Sequence, residues 1–434
     1  MNSSASDFKP STMLTRSKAV SAASPDSAPH RKLAALSRRS LLGGAYSYAV
    51  SCAVSSSLLA ACGGGGEREE LLDPRLLQEP ERLREQAETA VSKGLVGVVF
   101  ASQHQGAERL RVGAAGLNRK GAAGTKLRGD ESFQLASLGK AMTAALAAAL
   151  VEQGLLRWDS RPAELMPELA ATQLPVYSAI TLQDLLDHKG GLLSLDQPQD
   201  IDQLQLYLAA QAGPLPQDER GRRRLLSKWM LALPPLGRPG LDFVYSNAGY
   251  TLAGAMLEAA SGKSFDALID EHLARPLGLQ FQWTRPTEAR QPVGHSGKAP
   301  ASLLEIVGYP TDLRAWFDAI KPAGNASMPV ASYGNWLRWH QLALQGKSTP
   351  LARSYVERIS RLEAGQYALG WQGSAGQGQP LLVHSGADEG FMGLVLLAQN
   401  GERALFGLSN TLGTSDNGTS WVLDALNEGL LKLL

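Results

Sequence analysis

Strand-type and helix-type apolar patterns are unevenly placed along this chain, and their order limits how it can fold. Residues 76–92 read as an amphipathic helix, with Leu76, Leu77, Leu83, Ala87 and Val91 among charged neighbours. Two glycine-bounded, β-rich runs follow at 97–101 and 110–115, close enough to pair as a hairpin. After Phe133 an Ala/Leu-rich helix is expected over 141–153, stopped by Gly154. Helical patterns dominate the centre, at 181–188, 204–212, 223–231, 250–260 and 265–274. Strand patterns return at 381–384, 391–399 and 404–408, and 421–434 closes as an apolar helix. Strands at both ends with helices between them predict an α+β fold. One antiparallel sheet flanked by helices is built from both chain ends, with a central, mostly helical lobe at about 160–283. A small-molecule site is expected in the cleft between the two parts.

The first 61 residues read as an address. Ser37-Arg38-Arg39-Ser40-Leu41-Leu42 resembles a twin-arginine export signal, and the uncharged stretch 45–61 is too short and too polar for a stable span. Leu59-Ala60-Ala61-Cys62 resembles a bacterial lipoprotein box, in which Cys62 is lipidated and becomes the mature N-terminus. The expected organisation is a removed signal over 1–61, a flexible tether over 62–75 and a folded domain over 76–434. This predicts an exported, lipid-anchored protein that meets a membrane through Cys62 and faces the periplasm or cell exterior.

Charge and cysteine usage remove several function classes. The whole chain has 42 Lys and Arg against 41 Asp and Glu, without the basic excess of a nucleic-acid binder. Beyond residue 61 the balance turns slightly acidic, with 35 basic and 39 acidic side chains. Its only two cysteines are Cys52, which leaves with the signal, and Cys62, which the lipid blocks, so no thiol chemistry is expected. No His-x-x-x-His pair of the metalloprotease kind occurs. Neither metal nor cofactor is expected.

The stretch that carries chemistry is Phe133-Gln134-Leu135-Ala136-Ser137-Leu138-Gly139-Lys140. Ser137 and Lys140 are three apart, on one face of a helix start, where free amides favour a developing anion. A serine hydroxyl is a weak nucleophile until a base takes its proton. Lys140 can serve only where desolvation lowers its pKa. Spacing alone is weak evidence: Ser6-Asp7-Phe8-Lys9 repeats it, without a helix behind it.

The surroundings of Ser137 resemble the serine β-lactamase and penicillin-binding superfamily, in its class C β-lactamase-like branch. Further stretches agree, in the family's order. They are Ile180-Thr181-Leu182-Gln183-Asp184-Leu185-Leu186-Asp187-His188-Lys189-Gly190-Gly191-Leu192, Tyr245-Ser246-Asn247, Pro276-Leu277-Gly278-Leu279 and Val383-His384-Ser385-Gly386. The likeness spans roughly residues 80–434. Tyr333-Gly334-Asn335 and His295-Ser296-Gly297 repeat two of the motifs without the right neighbours. Ser415-Asp416-Asn417 spells a class A motif out of order.

The resemblance implies a β-lactamase/transpeptidase-like fold and a serine hydrolase that needs no cofactor. Ser137 would form an acyl-enzyme, with Lys140 and Tyr245 sharing the proton work. Asn247 would bond Lys140 or a substrate amide. His384, with Ser385 and Gly386, would bind substrate or relay a proton, and the backbone N–H groups of Ser137 and Ala387 would form the oxyanion hole. The substrate would be a small molecule or peptide with an amide or ester, a cell-wall D-alanyl stem peptide among the candidates. β-Lactamase, carboxylesterase and a catalytically silent cell-wall binding protein remain alternatives. His384 stands where class C β-lactamases commonly have lysine. His188 is expected to orient a loop, and His295 and His340 to be surface or packing residues.

Overall fold

The computed structural model describes residues 74–434, except for 108, 284, 286, 307, 309, 310 and 377. The 1–61 signal and Cys62 therefore lie outside the described residues. Helix α1 (Pro74–Ser92) leads into the hairpin β1 (Gly97–His104) and β2 (Arg111–Gly116). A short strand β3 (Ser132–Gln134) and a 3-10 turn (Ala136–Gly139) then feed helix α2 (Lys140–Glu152).

The central part carries helices α3 (Leu182–Leu186), α4 (Pro198–Ala209), α5 (Glu219–Leu231) and α6 (Asn247–Ser261). The short strands β4 (His295–Gly297) and β5 (Leu304–Glu305) follow, then helix α7 (Thr311–Ala319), strand β6 (Ser327–Pro329), and helices α8 (Val330–Leu344) and α9 (Arg353–Ile359). The last section runs through β7 (Tyr367–Ala368), β8 (Trp371–Gly376), β9 (Gln379–Asp388), β10 (Phe391–Ala398), β11 (Arg403–Ser409) and β12 (Thr411–Gly413) to helix α10 (Trp421–Leu433). No described helix is long and apolar enough to cross a membrane.

Seven strands form one antiparallel sheet in the order β2-β1-β11-β10-β9-β8-β7, which joins the two chain ends as the sequence order predicts. Alternate side chains of these strands enter two different cores. Val98, Phe100, Met392, Leu394, Leu396 and Leu405 pack with α1 and α10 through Leu83, Ala87, Leu426 and Leu430. Val99, Ala101, Val395, Leu397 and Phe406 face the other way, onto α2, α8 and the helical part. With both faces covered, β10 is buried at every position and reads as one apolar run rather than an alternation.

Three local features lead to the site. The ribbon of β3 and β6 pairs Phe133 with Met328, and Leu135 N–H donates to Ala326 O at 2.8 Å, so the loop before β6 lies against the Ser137 turn. Helix α3 starts at a capping box: Thr181 Oγ1 accepts from Asp184 N–H (3.1 Å) and Asp184 Oδ2 accepts from Thr181 N–H (3.0 Å). Helix α6 is capped by Ser246, whose Oγ accepts from Gly249 N–H at 2.9 Å.

Candidate active site

Ser137 stands in the 3-10 turn ahead of α2, behind Ala136, whose φ of 48° is costly for a residue with a Cβ. Close packing holds that turn. A Cβ on Gly386 would lie 2.3 Å from Leu135 O and 3.1 Å from the backbone nitrogens of Ser137 and Leu138. A Cβ on Gly324 would lie 2.5 Å from Ala136 O. Strand β9 and the loop before β6 can press on the serine backbone from two sides only because both positions are glycine.

Lys140 lies on the first turn of α2 and is fully buried. Its Nζ is 2.9 Å from Ser137 Oγ, 2.7 Å from Asn247 Oδ1 and 2.6 Å from the carbonyl oxygen of Ala323. Tyr245 OH is 2.8 Å from the same Ser137 Oγ. Nζ also lies 4.9 Å from the centre of the Tyr245 ring. Burial lowers the Lys140 pKa to about 7, against a smaller opposing pull from Asp196 and Asp388. A neutral lysine has two N–H groups, and the Asn247 and Ala323 oxygens, both acceptors, take them. The remaining lone pair is then directed at the Ser137 hydroxyl.

The Tyr245-Ser246-Asn247 strap is held by the His188 loop. His188 Nδ1 accepts from Ser246 N–H (3.0 Å) and its carbonyl accepts from Val244 N–H (2.8 Å). Ser246 Oγ donates to Leu193 O, and Asn247 N–H to Ser194 O at 2.9 Å. The His188 ring packs 4.3 Å from Tyr245, 4.6 Å from Tyr367 and 5.1 Å from Tyr250, centre to centre. Burial, then the charge of Lys140, pushes the His188 pKa well below the ordinary imidazole value, so the ring is neutral and orients the loop.

On β9, His384 is 8% exposed. Its Nδ1 lies 2.6 Å from the carbonyl of Ser385 and its Nε2 3.0 Å from Tyr367 OH. A carbonyl only accepts, so Nδ1 carries the hydrogen and Nε2 accepts from the phenol. Burial lowers this pKa to about 3, which leaves the ring neutral. Ser385, Gly386 and Ala387 follow along β9, paired with Leu394, Gly393 and Met392 of β10. β8 pairs with β9 only as far as Val383, so from residue 384 onward β9 is paired on one side. Alternate amides of this section are turned away from β10, beside the serine turn against which Gly386 is packed.

The structure thus gathers Ser137, Lys140, Tyr245 and Asn247 within hydrogen-bond reach, with residues 384–387 along the adjoining strand. The repeated motifs lie elsewhere. Tyr333 is buried in α8 with its ring against Phe406, and Asn335 bonds Leu277 O. His295 is buried, accepting from Lys120 N–H. His340 is buried too, bonded to Trp336 O and Tyr355 OH. Ala323 and Tyr367 are contacts of the site that sequence reading missed: the first acts through a carbonyl, and the second lies on a strand with no apolar pattern. Among the described residues, no group of three or more His, Cys, Asp or Glu could hold a metal ion.

A family model described as Beta-lactamase matches residues 80–427. The chain belongs to the β-lactamase family. Penicillin-binding protein 4 of Amycolatopsis lactamdurans is 29% identical over 191 residues, covering 43% of this chain and 45% of that protein. The D-alanyl-D-alanine-carboxypeptidase/endopeptidase AmpH of Escherichia coli K12 is 27% identical over 199 residues, covering 43% of this chain and 48% of its own length. The matches to these two thus span under half of each relative. Among solved structures, the D-amino acid amidase from Ochrobactrum anthropi superposes with a TM-score of 0.64 at 18% identity, covering 82% of this chain and 97% of that one. The class C β-lactamase from Rhodobacter sphaeroides gives 0.61 at 17%, covering 82% and 99%. At these identities the likeness is one of fold, a β-lactamase/transpeptidase-like α+β architecture.

Proposed function

We propose that this chain is a serine hydrolase that cleaves an amide or ester through an acyl-enzyme on Ser137. The observation that carries this reading is the position of Ser137 Oγ, 2.9 Å from a dry Lys140 amine and 2.8 Å from the Tyr245 phenol. Oγ attacks the substrate carbonyl, and the hydroxyl proton passes to the Lys140–Tyr245 pair. When the tetrahedral intermediate collapses, the C–N or C–O bond breaks and that proton departs on the leaving amine or alcohol. Water then attacks the acyl carbon and gives a proton to the pair; as this second tetrahedral intermediate collapses, the bond to Ser137 Oγ breaks, the proton returns to Oγ, and the acid is released. The N–H groups of Ser137 and Ala387 receive the carbonyl oxygen. Removing one such donor costs about 3 kcal/mol in acyl-transfer enzymes.

Small molecules and peptides fit this chemistry, and a D-alanyl compound is a suitable first substrate, given the names of the curated relatives. Supporting an exported, lipid-anchored location is the order of Arg38-Arg39, an uncharged stretch and Leu59-Ala60-Ala61-Cys62. The hydrolase reading is tested by intact mass after exposure to a fluorophosphonate and a penicillin. Wild type should gain one adduct, and Ser137→Ala none. Equal labelling of the two proteins overturns the assignment.

A further inference from the structure

Helix α2 holds two successive carbonyls of one turn, and their use in the reaction rests on the hydrolase reading above. The 3-10 turn Lys321–Ala323 spends the carbonyls of Ile320 and Lys321 on its own bonds, from Ala323 N–H (2.8 Å) and Gly324 N–H (3.0 Å). The next two carbonyls go to α2. Ala323 O lies 2.6 Å from Lys140 Nζ, and Pro322 O accepts from Thr143 Oγ1 at 2.7 Å. Lys140 and Thr143 are three apart, so they stand on one face of α2 and meet successive carbonyls of the turn.

Thr143 is an unusual residue for its place. Between Ala141 and Val151 every other side chain of α2 is apolar, and Thr143 is buried. A threonine inside a helix commonly bonds the carbonyl one turn back, as Thr251 of α6 does to Asn247 O at 2.9 Å. Thr143 donates across to the turn instead. The far side of the turn is fixed too. Lys321 is buried, and its Nζ bonds Glu219 at the start of α5 (2.9 Å) and Asp266 (3.0 Å). Pro322 packs on Gly254 of α6, where a Cβ would overlap its ring. The β3–β6 ribbon brings the loop to the serine turn, and these contacts hold the two residues whose carbonyls face α2.

We propose that Thr143 is a positioning residue for acylation: with Lys321 anchoring the other side of the turn, its hydroxyl fixes the Ala323 carbonyl, and that carbonyl turns the lone pair of Lys140 toward Ser137. Nζ rotates about its bond to Cε unless its N–H groups are held, and Asn247 Oδ1, at 2.7 Å, holds only one of them. Thr143→Val replaces the hydroxyl with a methyl of similar size and leaves Pro322 O buried without its donor. The turn must then shift, and it takes Ala323 O off the amine. An oxygen at 2.6 Å also favours the charged form of Lys140, so its withdrawal from a site that stays dry lowers the pKa further. The other titratable groups around the amine are left as they are. These are Tyr245 and Tyr250, with ring centres 4.9 and 5.5 Å from Nζ, together with His188, His384, Asp196 and Asp388.

The test is acylation of Ser137 by p-nitrophenyl acetate from pH 5 to 9 in wild type, Thr143→Val and Thr143→Ser, with thermal melting beside it. In Thr143→Val the maximal rate should fall about ten- to a hundredfold, with the half-saturating ester concentration unchanged, and the acid limb should move to lower pH. Thr143→Ser restores the hydroxyl and should return both to near wild type. Thr143→Ala, which removes the hydroxyl without adding bulk, takes the place of Thr143→Val should that protein not fold. A purely structural role has the opposite signature: a loosened site admits water, and the limb climbs toward the ordinary lysine value. A limb that climbs or stays in place, or a maximal rate equal to wild type, overturns the inference. Absence of Ser137 acylation in wild type overturns the hydrolase reading instead, and this inference with it.

Discussion

The burial of Lys140 makes a quantitative prediction about pH. An ordinary lysine, at 10.5, is neutral in only about 0.03% of molecules at pH 7, whereas one at about 7 is neutral in roughly half. The fold therefore raises the fraction of competent base on the order of a thousandfold. The sign follows from the charge: protonation removes the lone pair, so acylation should fall as pH drops through about 7. Two units lower, near pH 5, about 1% of the base remains, and kcat/KM should be about a hundredfold below its plateau. The assay is acylation of Ser137 by p-nitrophenyl acetate from pH 5 to 9, followed by stopped flow. Lys140→Arg keeps the charge but cannot deprotonate, and should lose the limb along with about 10² to 10⁴ of the rate. A second buried group, Glu389, competes for this assignment. Burial and the neighbouring Asp388 push Glu389 up to about 7, so Glu389→Gln must retain the limb for the assignment to stand. His384, lowered to about 3, is neutral throughout the range and cannot produce it, and burial moves His188 downward, away from this limb. A flat wild-type profile, or a limb that survives Lys140→Arg and vanishes in Glu389→Gln, refutes the reasoning.

Three further outcomes are expected. Gly386→Ala places a methyl 2.3 Å from Leu135 O, so it should destabilise the protein by about 1–3 kcal/mol and, by shifting the serine turn, lower acylation about a hundredfold; thermal melting and p-nitrophenyl acetate kinetics measure both. Arg223 is fully buried, with Nη1 2.6 Å from the buried Glu258. Arg223→Met should therefore cost about 3–5 kcal/mol in urea unfolding, with partial recovery in the double variant that adds Glu258→Gln. Cys62→Ala should abolish incorporation of a clickable palmitate analogue and release the protein from the membrane fraction; unchanged labelling shows that Cys62 is not the anchor.

The parts of the site that lie close in sequence were the parts most open to sequence reading. Ser137 and Lys140 are one helical turn apart, so their meeting depends on α2 alone. Tyr245 and Asn247 could be selected by their neighbours. Their approach to Ser137, across more than a hundred residues, is made by the His188 loop and by α6 packing on α2. The oxygen of Ala323 left no trace, because any residue supplies a carbonyl and only the β3–β6 ribbon brings this one to Lys140. Strands β7 and β8 were missed for a compositional reason: Trp371-Gln372-Gly373-Ser374-Ala375-Gly376 contains no β-branched residue, and a sheet edge tolerates that. With no strand signal at β7, nothing in the sequence points to the hydrogen bond between Tyr367 OH and His384 Nε2.

That missing edge also explains how the sheet serves the chemistry. A strand paired on both sides has no amide to offer, and a strand at the rim lacks the packing that fixes its position. β9 is both at once: β8 and β10 hold its first half, and after Val383 only β10 continues. The released half stays anchored through β10 while its alternate N–H groups have no β8 partner. Gly386 lets that half sit against the serine backbone, where any larger residue would force it off. The imidazole of His384 bonds to Tyr367 at the point where β8 stops pairing with β9, so it ties β7 to the unpaired section. The tie to Tyr367 OH and the carbonyl of Ser385 takes both ring nitrogens of His384, and burial keeps that ring neutral, so the junction between the paired and released halves of β9 is fixed by packing and hydrogen bonds and carries no charge.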